Sequence, residues 1–110
     1  MDNLLYLCLE AHNPDRNHHR RYEVRLSRDL FGHWVVTIGY GRAGLGVQQL
    51  VYSDPDPLVT RDIIRYYLHR RASAPRRLGC EYRLRELSAG PSIDTEYWLP
   101  PELKTMQAIE

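Results

Sequence analysis

Residues 34–52, WVVTIGYGRAGLGVQQLVY, decide the fold. Trp34, Val36 and Ile38 fall on one face of an extended segment, and Val35, Thr37 and Gly39 on the other. Val47, Gln49 and Val51 then alternate with Gln48, Leu50 and Tyr52, so two strands flank the crossing GYGRAGLG. That crossing has four glycines in eight residues, with Tyr40 and Arg42 as its aromatic and its charged side chain. Glycine lets a chain turn sharply, take positive φ or admit a close neighbour, which assigns Gly39, Gly41, Gly44 and Gly46 to the turn. A flat ring and a guanidinium in such a turn suit stacking and phosphate or carboxylate contacts.

The same period-two reading extends in both directions. Asn3 to Glu10 reads as an opening strand, and Ala11 to His19 as a turn or loop of Asn, Pro, Asp and His. From Arg20 to Ser27, Tyr22, Val24 and Leu26 alternate with Arg21, Glu23, Arg25 and Ser27, the pattern of a half-buried antiparallel strand. RDLFGH, 28–33, is a tight connection with Gly32 as its positive-φ position. Ser53-Asp54-Pro55-Asp56-Pro57 stops the fourth strand and starts a helix, with Ser53, Asp54 or Asp56 as N-cap. Val59, Ile63, Ile64, Tyr67 and Leu68 repeat at helical spacing up to Arg71. After the break ASAPRRLG, Cys80 to Leu87 alternates as a fifth strand. The expected fold is α+β: a twisted antiparallel sheet of four to five strands with one main helix on a face.

A chain of 110 residues, 43% hydrophobic and 26% charged, fits one domain with a modest core. We place that domain at 1–88 and an acidic, proline-containing tail at 89–110, docked or partly disordered. Residues 1–88 hold fourteen Arg against ten acids, and 89–110 one Lys against four acids, so a net +1 conceals an arginine-rich body. Such a body is compatible with a polyanion partner. No apolar run is long enough to span a bilayer, and the first residues lack a basic leader and a cleavage pattern. With only Cys8 and Cys80, reduced thiols and a cytoplasmic location are expected.

The order strand, strand, strand, glycine turn, strand, helix, strand resembles a WGR domain. That module, named for a Trp-Gly-Arg motif, occurs in DNA-dependent poly(ADP-ribose) polymerases and in bacterial proteins of the MolR type. The residues that carry the resemblance are Tyr40-Gly41-Arg42, Gly44 and Gln48, supported by Phe31-Gly32-His33-Trp34, by the strand Tyr22 to Leu26 and by Ile63 to Tyr67. It covers roughly residues 4–87. Tyr40 stands where the motif has Trp, and Gly46-Val47-Gln48 departs from the usual spacing of the later glycine–glutamine pair. In the polymerases that surface helps bind DNA ends and neighbouring domains, and the resemblance implies such a role for Tyr40 and Arg42.

Gly39 to Gly44 also matches G-x-G-x-x-G, but a dinucleotide site needs a helix after the glycines, and Leu45 to Tyr52 is β-like. Arg42 has two readings, a structural arginine on carbonyls or on a carboxylate such as Asp29, or a phosphate contact. The helix stripe Arg61, Arg65 and His69 is either a solvated face or a backbone-tracking surface, reinforced by Arg70, Arg71, Arg76 and Arg77. His12, His18, His19 and His33 lack Cys or acidic partners at ligand spacing, so no metal or other cofactor is expected. No nucleophile–base set or acid/base pair is recognisable, which argues against an enzyme. The expected function is a non-catalytic module that binds DNA or RNA through Tyr40, Arg42, Arg61, Arg65, Arg70, Arg76 and Arg77. The alternative is a protein-interaction module, in which the turn and basic helix dock a partner or Tyr97-Trp98-Leu99 pairs two copies of the chain.

Overall fold

The computed structural model describes residues 3–13, 18–42, 46–73 and 81–106, without the side chains of Asn13 and His18. Five antiparallel strands form one sheet in the order β4-β3-β2-β1-β5. They are β1 (Leu5–Asn13), β2 (His18–Arg28), β3 (Trp34–Arg42), β4 (Gln48–Asp54) and β5 (Arg83–Ala89). Helix α1 (Pro57–Ala72) connects the two edge strands across one face, and a helical turn, α2 (Thr95–Trp98), and a 3-10 segment (Pro101–Met106) follow β5. The α+β expectation holds, with five strands and one main helix.

The alternation read from the sequence is the alternation of burial. Leu5, Leu7 and Leu9 of β1, Tyr22, Val24 and Leu26 of β2, and Val36 and Ile38 of β3 are buried on the face that α1 covers. Each such side chain contributes about 1.5–3 kcal/mol by leaving water. Register carries the pattern from strand to strand: Leu7 opposes Val24, Val24 opposes Ile38 and Ile38 opposes Leu50. The other face carries Glu23, ion-paired to Arg21 at 2.8 Å and to Arg25 at 2.7 Å, with Cys8 buried beneath these long side chains.

Local chemistry explains the boundaries. Gly32 takes φ +80°, and Asp29 Oδ1 accepts from the backbone N–H of Phe31 and of His33, so the 28–33 connection turns as the sequence predicts. Asp56 is the N-cap of α1, accepting from Leu58 N–H at 2.9 Å, with Pro57 in the first turn. The helix buries Thr60, Ile64 and Leu68 at i, i+4, i+8, whereas Val59 stands exposed one residue off that stripe.

Two expectations change. Most of the segment 11–19 expected to be a loop is sheet, because β1 runs on to Asn13 and β2 starts at His18, which oppose each other. In β5 the register slips: Cys8 opposes Glu86 while Leu9 opposes Leu84, leaving Arg85 as an extra residue. That bulge places Leu84 and Leu87 on the same face, where strict alternation had set them apart. Of the two alternatives expected for the tail, docked or partly disordered, its residues up to Met106 follow the first. Trp98, Leu99, Leu103 and Met106 join the core, and the Trp98 ring packs 5.1 Å from that of Trp34. Trp98 and Leu99 are therefore core residues of their own chain rather than a surface for a second copy.

Candidate nucleic-acid interface

Helix α1 ends at Ala72, but the face of the sheet beneath it continues. On β2 the in-facing phase Leu26, Val24, Tyr22 next reaches Arg20, and on β3 the phase Val36, Ile38, Tyr40 next reaches Arg42. Tyr22 opposes Tyr40, Arg20 opposes Arg42, and Tyr40 opposes Gln48 of β4. Arg20, Tyr40, Arg42 and Gln48, with Arg71 from the last turn of α1 and Tyr82 just before β5, line a cleft of about 660 Å³. Arg21 also borders it, but its guanidinium pairs with Glu23 on the other face of the sheet.

Arg71 is oriented by aromatic rings. Its guanidinium carbon lies 4.6 Å from the ring centroid of Tyr22 and 5.6 Å from that of Tyr82, and those two rings meet edge to face at 6.3 Å. The Arg71 Nε and the Tyr22 hydroxyl are both buried without a hydrogen-bond partner among the described residues. Burial pushes the Tyr22 phenol well above its ordinary range, and the nearby charge of Arg71 pulls the other way. Among the described residues Arg20, Arg42 and Arg71 form no ion pair, in contrast to Arg21 and Arg25, which share Glu23. The cleft therefore gathers positive charge with no carboxylate among the described residues to neutralise it.

The rim of the cleft is the glycine crossing. A Cβ on Gly41 would run into the carbonyl oxygen of Gly46, so the two backbones approach closely there. Gly46 has φ +90°, a conformation that side chains disfavour. Gly39 and Gly41 both lie in β3 rather than in the turn, but Gly39 is paired on both sides, opposite Glu23 and Gln49, whereas Gly41 opposes Arg21 beyond the last β3–β4 pair. The expectation for Gly44 falls on residues outside those described.

The structure brings together Tyr40, half-buried, and Arg42, exposed, and separates both from the helix stripe. Asp29 is no partner for Arg42, since the two sit at opposite ends of β3, roughly 26 Å apart at the rise of a strand. Arg65 donates to the carbonyls of Glu96 and Tyr97, both at 2.9 Å. Arg61 lies 4.8 Å over the Tyr97 ring and His69 Nδ1 is 3.2 Å from Glu102. The stripe read as solvated face or polyanion track is thus the seat of the C-terminal segment. Arg70 lies over the Tyr66 ring, 5.9 Å from its centroid, away from the cleft lining. Arg76 and Arg77 lie outside the described residues.

Two cleft residues were available from the sequence in a different role. Arg71 reads there as a reinforcement of the helix stripe, and Arg20 starts the β2 pattern without a partner. The signal for Arg20 is its phase, since it shares the in-facing parity of Tyr22 and Val24. Tyr82 had no local signal beyond its alternation with Leu84. Among the described residues no three His, Cys, Asp or Glu side chains cluster to hold a metal ion. His19 instead meets Glu10 at 3.4 Å, and His33 stands 4.0 Å from Asp29. No family model, no curated protein and no solved structure matches this chain, so the WGR resemblance rests on the residues that carry it.

Proposed function

We propose that this chain is a non-catalytic, WGR-like recognition module that binds nucleic acid by its phosphates at the cleft lined by Arg20, Tyr40, Arg42 and Arg71. The observation that carries this reading is the convergence of three guanidiniums, from β2, β3 and α1, with no neutralising carboxylate among the described residues. Guanidinium forks match phosphate oxygens in two-point contacts, and phosphate contacts give affinity without sequence choice. Tyr40 adds a ring face at the same opening, suited to stacking on a base or sugar.

The test is titration of blunt, nicked and single-stranded DNA, and of RNA, at several salt concentrations. Three phosphate contacts predict a log–log salt slope of about −3 on duplex. Arg42→Gln, at an exposed position, should weaken binding with the fold intact. Absence of binding at low salt would remove the nucleic-acid role.

One observation favours the second reading, a protein-docking module. Leu30 and Phe31 are 94% and 86% exposed on a turn braced by Asp29 and by Arg28 Nη2, which donates to the Gly32 carbonyl at 2.8 Å. A rigid turn that presents two large apolar side chains lowers the ordering cost of docking. Phe31→Ser with unchanged nucleic-acid affinity but lost partner capture would assign that turn to a protein.

A further inference from the structure

The charge pattern of the cleft narrows the kind of phosphate it takes. Arg20 and Arg42 are directly opposed in the β2–β3 register and lie on the same face. Like charges directly opposed in a sheet repel. Arg71 lines the same cavity from the helix, its guanidinium over the rings of Tyr22 and Tyr82. The cleft also sits at the C-terminal end of α1, where the helix dipole is negative, so an anion there depends on the guanidiniums. An internal phosphodiester carries one negative charge, which leaves most of this repulsion in place. Two linked phosphoryl groups carry more charge in little more space and offer several oxygens to planar forks.

We infer that the cleft takes two adjacent phosphoryl groups joined through a bridging oxygen, one shared by Arg20 and Arg42 and the other held by Arg71. Tyr40, two residues before Arg42 on the same face, lies beside them to stack on an attached base. This rests on the reading of the cleft as a phosphate site, though not on the ligand being a polymer. The chemistry has two sources, the diphosphate of a free nucleotide or a di- or triphosphorylated strand end. The match is made by side chains at a helix C-terminus, unlike a dinucleotide fold, where a glycine loop leads into a helix N-terminus.

Calorimetric titration of the full chain at one low ionic strength, with pyrophosphate, ADP, AMP and orthophosphate, tests the inference. Pyrophosphate should bind about tenfold or more tighter than orthophosphate, and ADP than AMP. Arg20→Gln and Arg42→Gln should each abolish that preference, and Arg85→Gln, on the opposite edge strand, should keep it. Arg71→Lys retains the charge and loses the planar fork, so it should reduce the preference even if Arg71→Gln proves too unstable to assay. Oligonucleotides with a 5′-triphosphate or a 5′-monophosphate, each competed with ADP, separate the two sources, and a preference for either polyphosphorylated form supports the inference. Equal affinity for ADP and AMP, or a preference untouched by Arg20→Gln and Arg42→Gln, overturns it. Strand binding without any pyrophosphate binding overturns it and leaves the nucleic-acid reading standing. Pyrophosphate binding without strand binding supports it and removes the nucleic-acid reading alone, and failure of both overturns both.

Discussion

The guanidinium of Arg71 lies over the ring of Tyr22, its central carbon 4.6 Å from the ring centroid, joining the last turn of α1 to the second strand. A cation–π contact of this kind contributes about 0.5–2 kcal/mol, more as water is excluded. Arg71→Ala should therefore lower stability by about 1–2 kcal/mol in chemical denaturation as well as weaken anion binding. Tyr22→Phe should be neutral or stabilising by up to about 1 kcal/mol, because the hydroxyl it removes is buried and unpartnered among the described residues.

The glycines of the crossing are not equivalent. Gly41→Ala drives a Cβ into the Gly46 carbonyl, a backbone atom that cannot swing aside, and should cost about 1–3 kcal/mol. Gly46→Ala meets open space but keeps φ +90°, and should cost about 1–2 kcal/mol. At Gly39 the added carbon meets Val47 Cγ1 at 3.4 Å, so Gly39→Ala should stay within about 0.5 kcal/mol of the native chain. Thermal melts of the three variants rank them.

Arg65 and Arg42 should part company in paired assays. Arg65 holds two tail carbonyls, so Arg65→Ala should lose about 2 kcal/mol of stability while cleft affinity at a temperature below its melt is unchanged. Arg42→Gln should do the reverse, since Arg42 is exposed and forms no ion pair among the described residues. A fall in nucleic-acid affinity with Arg65→Ala in a folded sample would return the helix stripe to the binding surface.

Trp98 links the tail to the sheet. It is nearly buried, and its ring packs against Trp34 and at 5.6 Å from Tyr97. Trp98→Ala should cost about 3–5 kcal/mol, the range for removing a buried large aromatic. Deleting residues 88–110 would strip four core side chains and the end of β5, so it should unfold the domain rather than merely shorten it. Circular dichroism on both variants checks this.

Alkaline stability follows from the tyrosines. The hydroxyls of Tyr52 and Tyr67 lie 2.5 Å apart, and chiefly through that hydrogen bond the Tyr67 phenol is pushed up to about 12. The folded state thus holds this proton more tightly than the unfolded chain, whose tyrosines titrate at about 10. The contribution is complete below pH ~10 and is lost as pH rises through the folded value near 12. Tyr52→Phe should move the Tyr67 midpoint down, toward the free value, in a tyrosinate absorbance titration, and should flatten the stability loss over that window.

By itself the sequence determined the elements and their faces. Alternation at Tyr22-Val24-Leu26 and Trp34-Val36-Ile38, the Asp56-Pro57 cap and the Gly32 turn are local, set by strand parity, capping geometry and φ preference within a few residues. Tyr40 and Arg42 were legible as a ring and a cation beside the glycine crossing, but both lie on β3 rather than in the turn, because β2 pairs with β3 as far as Arg42. Only the tertiary structure decided what lies opposite what. Arg20, Arg42, Arg71 and Tyr82 are far apart along the chain, and parity says which side of its own strand a residue occupies, not which residue of another strand meets it. The bulge at Arg85 reversed a phase that strict alternation had assigned. The tail chose the fate of the helix stripe, because Trp98, Leu99 and Leu103 needed an apolar bed and reaching it carried their backbone carbonyls to Arg65. Burial over long sequence separations, which no local pattern encodes, thus took Arg65 for the fold and left Arg42 exposed at the cleft.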